Sequence, residues 1–124
     1  MSPRDSRSKG ASGEEIAAKY LIKKGFKILE KNYNTRLGEI DIIALDKKTV
    51  VFIEVKTATQ KGFGDPINWV PPRKQVRIIR TSQVYMKNHG TTETLMRFDV
   101  VAIDADMRVN HVRDAFRSES QFFM

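Results

Sequence analysis

The sequence has no cysteine, so it can form no disulfide bond and offers no thiolate ligand to a metal. It also lacks any run close to the ~20 consecutive apolar residues that a membrane-spanning helix requires. Its opening stretch, MSPRDSRSKGASG, has no apolar core of the kind that a secretory signal carries. These absences predict a soluble, cytoplasmic protein with no membrane segment.

Acidic residues are scarcer than basic residues. The chain has 15 aspartates and glutamates against 22 lysines and arginines, which gives a formal net charge of +7 and an isoelectric point near 9.8. This excess favours a polyanionic partner, either nucleic acid or an anionic membrane surface, and charge alone does not choose between them. With 124 residues, the chain has the size of one domain.

The N-terminal part of the chain divides into two regions by composition. Residues 1–11 are polar and basic and predict a flexible arm, whereas residues 12–124 carry the apolar pattern of a folded domain. Ser12 and Glu15 match a capping box, so we expect the first helix to run from Ser12 to about Lys24. The glycine that follows suits a helix end.

The rest of the chain predicts a sheet and a second helix. Pro71 and Pro72 suit the start of a helix that ends near Asn88, and the glycine-rich stretch 58–69 predicts a long loop. The order α-β-β-β-α-β-β implies a single α/β domain in which helices flank a mixed central β-sheet. Strands are predicted at 26–33, 38–45, 49–57, 95–103 and 107–115.

Two opposite charges interrupt the apolar strand VVFIEVKT. Because alternate residues of a strand share a face, Glu54 and Lys56 lie on the same side of it. A hairpin that closes symmetrically around the two-lysine turn places Asp41 opposite Glu54, and Glu39 opposite Lys56 as a cross-strand ion pair. A three-residue turn or a bulge would shift this register, so the predicted site depends on it.

Opposed carboxylates predict a cation between them. Two such groups facing each other across a strand pair repel, and a sequence selected for stability alone would avoid them. Oxygen ligands without histidine or cysteine nearby indicate Mg²⁺ or Mn²⁺ and not zinc. Glu14 shares the inward stripe of the first helix with Ala17, Ala18 and Leu21, which makes it a candidate third carboxylate. Glu15 is explained by the capping box and a helical ion pair.

The spacing of these residues resembles a known nuclease signature. Asp41, twelve intervening residues and then Glu54-Val55-Lys56 resemble the motif of the PD-(D/E)xK nucleases, the restriction-endonuclease-like superfamily. The segments GEEIAAKYLIKKGFKILEKNY, GEIDIIA, VVFIEVKT and RFDVVAI further resemble, in order over residues 13–116, the YraN (UPF0102) family. That family is similar to archaeal Holliday-junction resolvases.

The resemblance implies a restriction-endonuclease-like fold and a Mg²⁺-dependent endonuclease acting on DNA, including branched or structured DNA. It implies that Asp41, Glu54 and the Val55 backbone carbonyl coordinate the metal, with Glu14 binding directly or through water. Metal coordination would generate hydroxide from bound water for attack on the phosphodiester. Lys56 would orient that water and stabilise the developing charge.

The resemblance leaves the activity open. Ile40 stands where the superfamily has a proline before the aspartate, a departure that keeps the carboxylate in place. The alternative function is a nucleic-acid-binding module of the same fold that is catalytically silent or needs a partner. A protein-interaction adaptor fits the charge least. Similarity to the resolvases also implies a homodimer.

Basic residues around the second helix are candidates for DNA binding. Arginines recur there at helical spacing, and a solvated helix face explains them equally well. His89 and His111 are expected to be structural. Trp69 and Phe63 are the aromatic residues considered for stacking on bases, and for Trp69 we favour packing against the second helix. The candidate nucleic-acid-binding residues are Lys61, Arg73, Lys74, Arg77 and Arg80.

Overall fold

The helices and strands follow one another in the predicted order. The computed structural model describes residues 3–58, 64, 68–89 and 95–117. Most of the loop predicted at 58–69 lies outside these residues. Within the described ranges, no helix is long and apolar enough to cross a membrane. The elements are α1 (Pro3–Lys23), β1 (Lys27–Thr35), β2 (Gly38–Asp46), β3 (Thr49–Thr57), α2 (Pro72–Asn88), β4 (Leu95–Ile103) and β5 (Val109–Phe116).

The first helix starts earlier than the sequence predicts. α1 begins at Pro3, so Ser12 lies inside the helix, and its predicted role as the N-terminal cap is wrong. Proline fits a first helical turn because its missing N–H would have no partner there. The end of α1 agrees with the prediction: Gly25 has a φ of 96°, and the Phe26 N–H donates to the Leu21 carbonyl at 2.9 Å. The flexibility predicted for the N-terminal arm stays a prediction.

The five strands form one mixed sheet in the spatial order β1-β2-β3-β4-β5. β3 and β4 are parallel, and the other neighbours are antiparallel. The paired residues of β2 and β3 run from Asp46 and Thr49 to Ile42 and Ile53, which confirms the predicted register over this stretch, and Asp41 and Glu54 lie one position beyond it. The turn between these strands places Lys47 in the left-handed region, with a φ of 58°. The predicted α/β class and mixed sheet are therefore confirmed.

Each face of the sheet packs against one helix, and the two cores lie on opposite sides of the strands. On one face the core joins α1 to the sheet through Ala17, Ala18, Leu21, Phe26, Ile42, Ala44, Val51, Ile53, Val101 and Ile103. On the other face it joins α2 to the sheet through residues that include Ile40, Ile43, Phe52, Ile78, Ile79, Tyr85, Met86, Phe98 and Val100.

Candidate functional site

β2 departs from regular strand geometry beside Asp41. In a regular strand, residues three apart point to opposite faces, yet Ile40 and Ile43 both belong to the core under α2. On the neighbouring strand β1, Asn32 adopts a left-handed conformation with a φ of 52°. The pairs on either side of it, to Ile42 and Ile40, place Asn32 opposite Asp41. The irregularity re-aims the side chain at this position.

Asp41 reaches across to β3 at the end of the paired stretch. The last backbone pair joins Ile42 to Ile53, and beyond it the Val55 N–H donates to the Asp41 carboxylate, with 2.8 Å between N and Oδ2. The Glu54 carboxyl is close enough to the Asp41 carboxyl to raise its pKa both through its charge and through hydrogen bonding. The structure thus brings Asp41 and Glu54 into contact.

The environment of Asp41 disfavours its ionised form. Burial is the largest cause, and the charge of Glu54 adds to it, so the pKa of Asp41 rises from 3.8 to about 7. The hydrogen bond from Val55 lowers this pKa, whereas the charge of Glu14 and the hydrogen bond to Glu54 raise it further. Below about pH 7, Asp41 is therefore mainly protonated.

Glu54 also has a basic partner on α2. It is 5% exposed, and its carboxylate forms an ion pair with the ammonium of Lys74, whose side chain is 45% exposed. Sequence reasoning assigned Lys74 to phosphate contacts and missed this pair. The signal was present, because Lys74 precedes the buried Ile78 by four residues and therefore shares the face of α2 that packs on the sheet.

Glu14 is held near the site by a close contact between α1 and β3. The preceding residue, Gly13, is buried, and a Cβ atom built there would lie 2.5 Å from Cγ2 of Thr57. Only a glycine allows this approach without movement. Glu14 is half-buried, and its charge acts on Asp41. The structure therefore brings Glu14 into electrostatic range of the pair.

Lys56 lies on β3 two residues after Glu54 and is half-buried. Among the described residues it makes no ion pair within 4 Å, so its ammonium is not neutralised by a carboxylate there. The predicted ion pair between Lys56 and Glu39 is therefore wrong. Glu39 is exposed, and its backbone pairs with Asn34 of β1.

The donor atoms at the site fit a hard divalent cation in type. Asp41 and Glu54 offer adjacent carboxyl oxygens, and a strand residue directs its N–H and C=O to the same neighbour, so the Val55 carbonyl faces the side of Asp41. Such oxygen donors suit Mg²⁺ or Mn²⁺. Within the described ranges, no group of three histidine, aspartate or glutamate side chains is arranged to hold a metal. Glu14 therefore supplements the pair through its charge and is not a ready-made third ligand.

A groove of about 400 Å³ lies between the first turns of α2 and the start of β2. Arg73, Lys74 and Arg77 line it together with Glu39, and the arginines are exposed. Arg80 is also exposed on α2, and it is not among the groove residues. Lys61, the fifth candidate for nucleic-acid binding, lies outside the described residues.

A second polar cluster lies on the face that α1 covers. Asp99 is fully buried and accepts hydrogen bonds from Arg97, His111 and the Asp114 N–H at 2.7 to 3.1 Å. His111 uses its other ring nitrogen toward the Tyr20 hydroxyl at 3.1 Å. Burial acts to raise the pKa of Asp99, but the bonds from His111 and Arg97 hold it below its usual range. The cluster is satisfied internally, and sequence reasoning missed Asp99 inside RFDVVAI.

The remaining aromatic and histidine predictions concern structural positions. His89 stacks on Tyr85 and contacts its carbonyl at 2.9 Å, and His111 is buried, so both have the structural surroundings expected for them. Trp69 packs against the core under α2, as predicted. Phe63, the other aromatic considered for base stacking, lies outside the described residues.

Comparison with known proteins places the chain in a family. The model of the uncharacterised protein family UPF0102 matches residues 13–103. A UPF0102 protein of Alkaliphilus oremlandii is 46% identical over 86% of this chain and 96% of its own length. Relatives in Caldanaerobacter subterraneus subsp. tengcongensis and Nitrosococcus oceani are 42% and 40% identical, over 90% and 97% of this chain and 97% and 100% of their own lengths. Since the family model spans most of the chain and the relatives match nearly end to end, the chain belongs to the UPF0102 family.

Proposed function

We propose that this protein is a Mg²⁺-dependent endonuclease that hydrolyses phosphodiester bonds of DNA. The observation that carries the proposal is the contact between the Asp41 and Glu54 carboxyls where the pairing of β2 and β3 ends. Two acidic groups in contact in a buried setting are unfavourable unless a proton or a cation lies between them. A purely structural pair would not need this arrangement, whereas a metal-dependent hydrolase does.

The residues that would hold the metal are Asp41, Glu54 and the Val55 carbonyl, with Glu14 acting through a water molecule. When bound, Mg²⁺ polarises a phosphodiester oxygen and lowers the pKa of water towards ~7. Asp41 must release its proton to serve as a ligand, so its raised pKa makes this site competent mainly at neutral and higher pH.

Hydrolysis adds water across one P–O bond of the backbone. The oxygen of water bonds to phosphorus, and the displaced oxygen leaves with a proton. Lys56, whose ammonium has no ion-pair partner among the residues that the structure describes, would orient the attacking water and stabilise the negative charge that develops on the phosphoryl oxygens. Electrostatic help of this kind is typically worth about 10²- to 10³-fold in rate.

The order of the site residues supports assignment to the restriction-endonuclease-like superfamily. An aspartate on β2 and a Glu-x-Lys on β3 follow the PD-(D/E)xK pattern, and the α/β sheet fits that fold. The resemblance of the family to Holliday-junction resolvases supports branched or structured DNA as the substrate. A junction has two strands to cut, so a homodimer that presents two sites belongs to the same proposal.

The charge of the molecule supports a nucleic-acid partner over other polyanions. The net charge of +7 is accompanied by a groove lined with cations directly beside the carboxyl pair. Contacts of lysine and arginine with phosphates position a protein on DNA without reading its sequence. The proposed enzyme therefore recognises DNA through its backbone and shape.

One observation favours the second candidate, a binding module of the same fold without its own turnover. Lys74 already neutralises Glu54, and the described residues contain no three-carboxylate group. Such a module would bind DNA through the groove of Arg73, Lys74 and Arg77 and would need a partner for cleavage.

A cleavage assay separates these functions. Purified protein is incubated with linear duplex, single-stranded, flapped and four-way-junction DNA in Mg²⁺, Mn²⁺ or EDTA. We expect metal-dependent cleavage that falls at least ~100-fold in Asp41→Asn and Lys56→Met, because these remove a metal ligand and the charge-stabilising group. Glu15→Gln and Lys48→Met, which replace exposed residues of each type outside the groove, are the matched controls and should cleave like the wild type. Binding without cleavage of any substrate, equal in all variants, would reject the nuclease in favour of the module.

A further inference from the structure

Lys74 is the residue through which α2 joins the carboxyl pair. Its ammonium forms an ion pair with Glu54, yet the two partners differ in their surroundings, with 5% of the Glu54 side chain and 45% of the Lys74 side chain exposed. Glu54 is fixed in the sheet, on a strand that pairs on both sides. Lys74 is therefore the partner that can leave.

The ion pair and a bound metal compete for the same carboxylate. Among the described residues, Lys74 is the only cation paired with Glu54, and the charge of Glu14 lies close by. Without a metal, the ammonium supplies the positive charge that this cluster of carboxyls needs. A divalent cation on the oxygens of Asp41 and Glu54 would repel that ammonium at contact distance.

We propose that Lys74 is a resident counterion of Glu54, that a divalent cation displaces it, and that the released ammonium then binds a phosphate of the DNA. This inference rests on the proposed nuclease function and goes beyond it, because it makes metal binding and DNA binding cooperative. Lys74 is a positioning residue here, since it acts on the metal through Glu54.

The structure supplies a place for the released ammonium. The same Lys74 lines the groove between α2 and the start of β2, beside Arg73 and Arg77. Gly38, on the facing wall, has no side chain to fill the groove. The exchange therefore requires only that the half-exposed Lys74 side chain rotates from the carboxyl pair into the groove, while the backbone stays in place.

The coupling can be measured without metal and without cleavage. DNA affinity is determined by fluorescence anisotropy in EDTA for the wild type, Lys74→Met, Glu54→Gln and the double variant. In the wild-type background Lys74 is occupied by Glu54, so Lys74→Met should change affinity by less than about twofold. With Glu54→Gln the ammonium is free, and adding Lys74→Met should weaken binding about fivefold and reduce the salt dependence by about one phosphate contact. Equal effects of Lys74→Met in both backgrounds would overturn the inference.

A second measurement does not depend on how the Glu54 variant folds. Mn²⁺ affinity is measured by calorimetry for the wild type, Lys74→Met and Lys87→Met, an exposed lysine in the last turn of α2 that serves as the control. Loss of the competing ammonium should tighten Mn²⁺ binding about tenfold in Lys74→Met and leave Lys87→Met unchanged. Equal or weaker binding by Lys74→Met would contradict the exchange, even if the wild type cleaves DNA. A wild type that cleaves no DNA but shows the coupling in EDTA would reject the nuclease alone.

Discussion

Asp41 holds a proton that an aspartate in solution would have lost. Its burial, the neighbouring Glu54 and the charge of Glu14 all oppose ionisation, and one hydrogen bond from Val55 is too little to offset them. A residue in such surroundings makes the folded state less stable when it is charged. A positive charge at the site therefore stabilises these carboxyls. A proton supplies it at low pH, and a metal ion can supply it at higher pH.

The raised pKa of Asp41 predicts how stability depends on pH in EDTA. The folded pKa of about 7 lies above the ordinary value of 3.8, so between these values the folded state keeps a proton that the unfolded state has released. Stability from this group is therefore present at acid pH and lost as pH rises through about 7. As pH rises from 5 to 8, the free energy of unfolding of the wild type should fall by about 2–3 kcal/mol relative to that of Asp41→Asn, as measured by urea unfolding.

The comparison with Asp41→Asn isolates this titration from all others in the chain. Glu39→Gln is the matched control, because Glu39 lies on the same strand but is exposed, and this variant should follow the wild-type pH curve. Parallel curves for the wild type and Asp41→Asn would show that Asp41 ionises normally and that the carboxyl pair is not strained.

At the scale of the elements, the contact between α1 and β3 sets the distance between Glu14 and the carboxyl pair. Gly13 approaches Thr57 so closely that an added Cβ would lie 2.5 Å from Cγ2. A glycine inside a helix costs about 1 kcal/mol relative to alanine. The close packing of α1 on the sheet offsets that loss and brings Glu14 near the end of β3.

This contact predicts that Gly13→Ala changes the stability of the protein in opposite directions with and without the Thr57 methyl group. Gly13→Ala alone should destabilise the protein by about 1–2 kcal/mol, because the new methyl group overlaps Thr57. Thr57→Ser removes the atom that the methyl group meets, so in that background Gly13→Ala should stabilise by up to about 1 kcal/mol through helix propensity. Urea unfolding of the four proteins measures both effects. The same change in both backgrounds would show that α1 does not approach β3 in this way.

The sequence predicts the elements well where its signal is local. The strand at 49–57 and its register with β2 follow from alternation and a two-residue turn, and both are confirmed. The predicted start of α1 is wrong because a capping box shows only that a helix could begin at that residue, and it carries no information about the residues before it. Lys74 and Asp99 acquire their partners through the packing of distant elements, which no local pattern specifies.

At the scale of the whole molecule, the two ends of β3 have different electrostatics. Near its start, Asp46 forms ion pairs with Arg97 and Arg113 at 3.0 and 3.5 Å, and Arg97 also binds the buried Asp99. These acids are matched by bases and tie β2, β4 and β5 together. Near the end of β3 the carboxyls outnumber their ion-paired bases among the described residues, and the cationic groove lies beside them. The paired charges near the start of β3 therefore have a structural role, and the carboxyls near its end are those of the proposed active site.

The most direct test of the account is a calorimetric titration with Mn²⁺ at pH 8, where Asp41 is ionised. The wild type and the Glu39→Gln control should bind one Mn²⁺ per chain at the carboxyl pair. Asp41→Asn should bind it at least ~10-fold more weakly, because it loses a charged ligand. Equal Mn²⁺ binding by the wild type and Asp41→Asn, or no binding by either, would contradict the claim that Asp41 and Glu54 form a metal site.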